Sequence, residues 1–216
     1  MPSSNQPQYL VAKKNPRVRK FPSLATERLF LRQTTSADMT DIFDLYNDPE
    51  VNRFSNLGPF QNLADVENRV LKQHQFLFDS AMGFYWGITL RDSDKIIGTC
   101  GFHGTEWLHA STKIGFDLAK SYWGRGIMAE ALSAILQWII QFHRINRIQA
   151  ETDPNNHRSI ATLRRLGFSE EGLLRQSGYW RGEFHDARCF SLLKSDWLSN
   201  ASNSGGKHFF APPTKR

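Results

Sequence analysis

Apolar residues recur at helical spacing from residue 127 onward. Met128, Ala131, Leu132, Ile135, Trp138 and Phe142 fall on one side of a helical wheel, and Glu130, Ser133, Gln137, Gln141 and Arg144 on the other, which predicts a long amphipathic helix. Upstream, residues 27–34 alternate as a strand. Ser36 is a suitable cap for a helix reaching Tyr46, and a second helical region is expected over Leu63 to Phe78, with Val66, Val70, Phe76 and Leu77 among its apolar positions. Three strands are predicted next, at Gly83–Leu90, Ile96–His103 and Ser111–Leu118, with residues 91–94 as a hairpin turn. After the long helix, a strand is expected from Ile145 to Thr152. A short helix follows, capped by Asn155 or Asn156, with Ile160, Leu163 and Leu166 as its buried stripe and Gly167 as its stop. Two strands near residues 168–179 and 186–193 complete a mixed α/β order.

Composition changes this picture at the ends. The chain has 216 residues and a formal charge of +6, and nothing in its middle marks a second domain. Residues 1–22 hold five basic side chains and no acidic one, and residues 199–216 hold three and none. The rest is therefore near −2, and the basicity belongs to the ends. These are expected to be flexible tails flanking one domain at 23–198, open to contact with RNA or the ribosome. No apolar run suits a signal peptide or a membrane span, which points to a cytoplasmic protein without membrane contact. Cys100 and Cys189 lack metal-ligand spacing and read as core thiols.

The long helix is preceded by Ser121-Tyr122-Trp123-Gly124-Arg125-Gly126. Glycines permit positive φ and close approach of the main chain, and a helix N-terminus adds unpaired N–H donors, so an anionic ligand is expected there. Neither a strict dinucleotide fingerprint nor a Walker lysine is present. Downstream, Asn156 and Ser159 lie one helical turn apart at the start of the short helix, where both side chains are able to face a common ligand.

The order of the Trp-Gly-Arg-Gly turn, Ala129-Glu130-Ala131-Leu132, Asn156/Ser159 and Leu163-Arg164-Arg165-Leu166-Gly167-Phe168 resembles the GCN5-related N-acetyltransferases (GNAT), most of all the RimJ/RimL branch. The likeness covers roughly residues 24–197, beginning at Thr26-Glu27-Arg28-Leu29. It implies an acyl-CoA N-acyltransferase fold, a largely antiparallel splayed sheet with flanking helices. It implies acetyl-CoA as cofactor, its pyrophosphate on the main-chain N–H groups of Trp123, Gly124, Arg125, Gly126, Ile127 and Met128. The pantetheine arm would pair with Phe116, Asp117 and Leu118. Asn156 would bind that arm, and Ser159 would lie by the thioester sulfur. Ser121 stands where the family usually has glutamine or arginine, and Gly178 where some members carry a glutamate base.

Acetyl transfer requires a neutral amine and a proton for the leaving thiolate. Ser159 is the candidate on the thiol side. Glu151 is favoured as base over Glu106, His103 and Asp117. About a tenth or more of an α-amine is neutral at pH 7, against well under one part in a thousand of a lysine amine, a difference of roughly 3 kcal/mol. This favours a protein or peptide N-terminus as acceptor, in a groove lined by some of Phe84, Tyr85, Trp86, Trp107, Tyr179 and Trp180. Acetylation of a small amine such as an antibiotic or polyamine, and a non-catalytic acetyl-CoA-binding or RNA-associated module, are the alternatives. The protein is expected to act as a monomer or homodimer.

Overall fold

Period-two alternation of large apolar residues builds the sheet. In the computed structural model, which describes residues 20–203 except 56 and 58, the strands are β1 (Leu24–Ala25), β2 (Leu29–Gln33), β3 (Phe84–Leu90), β4 (Gly98–Glu106), β5 (Ser111–Leu118), β6 (Arg147–Thr152), β7 (Ser169–Trp180) and β8 (Glu183–Leu193). They form one sheet in the order β1-β2-β3-β4-β5-β6-β8-β7. Only β5 and β6 pair in parallel among these strands. A parallel pair needs a crossover, and α5 (Ile127–Phe142) supplies it. The other helices are α1 (Met39–Asn47), α2 (Pro49–Asn52), α3 (Leu63–Val66), α4 (Lys72–Asp79), α6 (His157–Arg165) and α7 (Lys194–Asn203).

The sheet separates two cores. Phe84, Trp86, Cys100, Phe102, Ile114, Ile148 and Phe190 pack with Leu132, Ile135 and Trp138 of α5. A smaller cluster joins Ile42, Leu45 and Tyr46 of α1 to Val51, Phe60, Val66, Val70 and Ile96. Side chains two apart share a face, so Tyr85, between Phe84 and Trp86, looks toward the smaller cluster and the helices α1 to α4. Both cysteines are buried and free, and burial raises the Cys100 thiol pKa.

Several expected boundaries shift. The helix of residues 63–78 is interrupted by a π-helical turn, Glu67–Leu71, between α3 and α4. Ile96 and Ile97 are buried ahead of β4, which runs on to Glu106 past a register shift after His103. The folded unit also begins before residue 23. Phe21 is buried, with its ring 5.5 Å from those of Phe78 and Trp86, and the Pro22 carbonyl accepts a 2.6 Å hydrogen bond from Trp86 Nε1. At the other end α7 crosses the expected limit at 198 and continues to Asn203. The remaining parts of both basic segments, and their proposed RNA contacts, lie outside the described residues. No described helix is long and apolar enough to cross a membrane.

His143, just after α5, is 2% exposed, and neither ring nitrogen has a hydrogen-bond partner among the described residues. Its ring lies 4.4 Å from that of Trp138, and burial pushes its pKa down to about 4. Because the unfolded chain binds this proton near pH 6.5 and the folded chain only near 4, stability is lost as pH falls through that window. At pH 5 the penalty is about 2 kcal/mol. His143→Leu is expected to raise Tm relative to wild type by roughly 4–8 °C more at pH 5 than at pH 8, which differential scanning calorimetry at the two pH values measures.

Candidate functional site

The sheet opens where its one parallel pair ends. β5 and β6 are in register from Ser111 opposite Arg147 to Ile114 opposite Ala150. Beyond that point Glu151 and Thr152 pair only with β8, and Gly115–Leu118 only with β4. Two strand edges therefore face one another across a gap, each with main-chain groups able to bond an inserted amide chain. Phe116, Asp117 and Leu118 lie on one edge, at the wall of a cleft of about 1090 Å³.

At one end of the gap the chain turns into α5. Gly124 and Gly126 both have φ of +74°, in the left-handed region that glycine tolerates at no steric cost. Trp123, whose N–H was expected to meet the ligand, instead donates it to the Lys120 carbonyl at 3.1 Å, and its indole Nε1 donates to the Leu118 carbonyl at 2.7 Å. The first main-chain bond of the helix runs from Glu130 N–H to the Gly126 carbonyl. From Gly124 to Ala129, no main-chain N–H has a hydrogen-bond acceptor of ordinary geometry among the described residues. Six successive donors at a helix N-terminus make a cradle for a phosphate-bearing ligand.

Arginines from separate segments surround this cradle, and of these the sequence had pointed only to Arg125. A Cβ on Gly126 would lie 3.6 Å from Arg28 Nη2 and 4.0 Å from Arg165 Nη1. Arg28 is anchored by the Glu130 carboxylate at 2.6 Å and by the Arg125 carbonyl at 3.0 Å. Burial alone would raise the Glu130 pKa, but hydrogen bonds from Thr26 and Arg28 outweigh it and hold it below the ordinary carboxylate range. Arg158 covers the Trp123 ring at 4.6 Å, and Arg125 covers Tyr122 at 5.4 Å. Arg165 comes from the last turn of α6, and no local sequence pattern announces its place beside the cradle.

The spacing of Asn156 and Ser159 has a structural cause. Asn156 is the N-cap of α6, and its Oδ1 accepts the Ser159 main-chain N–H at 3.1 Å. Of the two asparagines weighed as cap, Asn156 fills the role. This leaves Asn156 Nδ2 and the Ser159 hydroxyl without a protein partner among the described residues, and both residues line the cleft. Donors of this kind suit the amides and sulfur of a CoA thioester.

Glu151 also lines the cleft, but its carboxylate is engaged. Oε1 accepts from Lys113 Nζ at 2.7 Å and from Gln149 Nε2 at 2.9 Å. Burial would raise its pKa, yet the Lys113 contact outweighs that and holds it below the usual value. A carboxylate held so is a weak base, which argues against the role expected for it. Asp117 behaves differently: burial pushes it up to about 6, while Tyr46 Oη donates to Oδ2 at 3.0 Å.

The aromatic groove divides by strand alternation. Phe84 and Trp86 are core residues, and Trp107 packs against the same core beside His143. Tyr85, Tyr179 and Trp180 line the cleft. Tyr85 lies flat across neighbouring strands over two glycines: a Cβ on Gly101 would sit 2.7 Å from its Cγ, and one on Gly115 would sit 2.4 Å from its Oη. Its ring stacks on His74 at 4.8 Å, and its hydroxyl is 3.0 Å from His103 Nδ1. Opposite, the β7–β8 hairpin reaches α2, where Arg181 Nη2 donates to the Asn52 carbonyl at 2.7 Å. Asp186 accepts the Gln176 N–H at 2.7 Å and so fixes the irregular turn of β7, a structural role.

Comparison with known proteins agrees with this geometry. Residues 28–169 match the family described as "Acetyltransferase (GNAT) domain". The chain is 33% identical over 176 residues to YoaA of Bacillus subtilis (strain 168), an uncharacterized N-acetyltransferase, covering 81% of this chain and 98% of the relative. It is 29% identical over 184 residues to the [ribosomal protein uS5]-alanine N-acetyltransferase of Escherichia coli (strain K12), covering 81% and 92%. Among solved structures, the RimL ribosomal L7/L12 α-N-protein acetyltransferase in complex with coenzyme A superposes with a TM-score of 0.71 at 19% identity, covering 80% and 98%; that likeness shows the fold. With the family match spanning most of the chain, and the splayed sheet and helix-start cradle both in place, the chain belongs to the GNAT acetyltransferases and is an N-acetyltransferase.

Proposed function

We propose that this protein transfers the acetyl group of acetyl-CoA to the α-amine at a protein N-terminus, with a ribosomal protein as the acceptor class. The observation that carries the choice of acceptor is the state of the carboxylates in the cleft. Glu50 is paired with Lys120 and Glu151 with Lys113, Asp117 accepts from Tyr46, and Asp153 accepts the Asn155 N–H. A polycationic amine such as a polyamine or an aminoglycoside needs several carboxylates free of cations, and among the described lining residues only Asp117 and Asp153 lack a cationic partner. An α-amine needs none, because a useful fraction is already neutral at pH 7. The relative acting on uS5 alanine supports the same class.

The thioester supplies an activated acetyl carbon; this chain supplies position. The six free N–H groups and the surrounding arginines suit the diphosphate, and the open edge at Phe116–Leu118 suits the pantetheine amides. Asn156 Nδ2 donates to that arm. Ser159 Oγ provides a hydrogen bond or proton for the departing sulfur.

The test is release of free thiol from acetyl-CoA against peptides bearing N-terminal alanine, serine or other residues, N-terminally blocked lysine peptides, and polyamines. Release with free N-termini, lost on blocking the α-amine and lowered at least tenfold by Asn156→Ala, is the expected result. Faster release with polyamines or blocked lysine peptides than with any free N-terminus overturns the acceptor assignment.

A further inference from the structure

His103 occupies a position that the features above leave without a role. It sits on β4 at the cleft wall, opposite Lys113 of β5. Its Nδ1 is 3.0 Å from Tyr85 Oη, and that hydroxyl lies above Gly115, the first residue of β5 past the point where the strands part. The imidazole thus stands beside the gap, its Cε1 3.8 Å from the place a Cβ on Gly115 would take. The groups facing it are Tyr85 of β3, Lys113 of β5 and Glu151 of β6, and His74 of α4 stacks on the far side of Tyr85. Lys113 and Glu151 neutralise each other at 2.7 Å.

We propose that His103 is the proton acceptor for the attacking amine, held in the productive tautomer by Tyr85. The proposal rests on the reading of the cleft as an acetyl-CoA-dependent amine acetylation site. In the tautomer this role requires, Nδ1–H donates to Tyr85 Oη at 3.0 Å and the Nε2 lone pair is free. The α-ammonium gives its first proton to Nε2, directly or through one water, and the neutral nitrogen attacks the thioester carbonyl. The new C–N bond forms, the C–S bond breaks, the thiolate takes a proton from the Ser159 side, and the nitrogen loses its second proton to solvent. Atoms and charge balance as ammonium plus thioester giving amide, thiol and one proton. Burial, with a further push from Lys113, holds the imidazole pKa below its ordinary value, so His103 is neutral at pH 7 and ready to accept. Glu151 opposes that push without reversing it.

The experiment compares wild type, His103→Gln and His103→Ala by kcat at saturating peptide and acetyl-CoA from pH 5 to 9. Wild type is expected to lose activity on the acid side, at a pH below the ordinary imidazole range, as His103 becomes protonated. His103→Gln is expected to lose about a hundredfold or more in kcat, with KM for acetyl-CoA within about twofold and an unchanged Tm. Asp117 titrates in the same range, so the acid limb alone does not discriminate. Restoration of His103→Ala by added imidazole does, because a packing role is not replaced by a free base. A kcat for His103→Gln within threefold of wild type, or a loss in His103→Ala that imidazole leaves unrestored, overturns the proposal. A wild type inert toward every amine overturns the acceptor reading and this one together. An active wild type with an unaffected His103→Gln overturns this one alone.

Discussion

Gly126→Asp is expected to weaken acetyl-CoA binding by at least a hundredfold while leaving the fold intact. Gly126 has φ +74° and ψ 5° at the start of α5, a conformation that aspartate and asparagine tolerate better than other side chains. A negative charge in the first turn is also favoured by the helix dipole. The new carboxylate would grow toward Arg28 and Arg165, whose guanidinium nitrogens lie 3.6 and 4.0 Å from the Cβ position. It would fill the cradle from within. A diphosphate entering beside it meets a like charge, worth about 4 kcal/mol at 4 Å in a partly screened site, and a hundredfold loss needs only about 2.7 kcal/mol. Gly126→Asn separates charge from bulk: the same shape without charge is expected to cost about tenfold or less. Isothermal titration gives both affinities, and Tm within roughly 2 °C of wild type shows that folding is not the cause. Equal affinity for the aspartate variant and wild type would remove the diphosphate from this cradle.

The cradle was legible in the sequence because its parts are adjacent along the chain. Two glycines, a helix start and an amphipathic stripe lie within residues 121–142, and local rules suffice to read them. Most of the element order was legible for the same reason, down to β5 at Ser111–Leu118, while β1, α2 and α7 carried no expectation. What sequence does not display is pairing between distant segments. Glu151 looked available as a base, because nothing near it in the chain shows that the parallel register with β5 brings Lys113 to its carboxylate. Arg28 and Arg165 lie about 100 and 40 residues from Gly126, so their convergence follows only from the fold. The Asn156–Ser159 spacing was legible but ambiguous. A helix cap and a ligand-binding pair share the same interval, and the structure shows the cap using the asparagine oxygen while its nitrogen stays free.

Adjacent residues of β3 give the sharpest contrast between packing and site, and Trp86→Ala carries the largest expected stability loss. Trp86 is fully buried, its ring 5.5–6.2 Å from those of Phe21, Phe84, Phe102 and Trp138, and its Nε1 satisfies the Pro22 carbonyl. Removing it leaves a cavity where strand, helix and N-terminal segment meet and frees a half-buried acceptor, at a cost of about 3–5 kcal/mol. For a domain of this size Tm is expected to fall by roughly 6–20 °C. The side chain points away from the cleft, so kcat and KM measured well below the lowered Tm are expected to stay within about threefold of wild type. Tyr85→Phe should do the reverse. It keeps the ring on the Gly101–Gly115 floor and the stack on His74, leaving Tm within about 2 °C, but it removes the partner of His103 Nδ1 and should lower kcat at least tenfold. If Trp86→Ala instead lost activity in proportion to its Tm, or Tyr85→Phe kept full activity, the division of β3 into a packing face and a catalytic face would fail. Read as sequence, both residues belong to one aromatic run, and only the two-residue period of the strand sends them to opposite sides of the sheet.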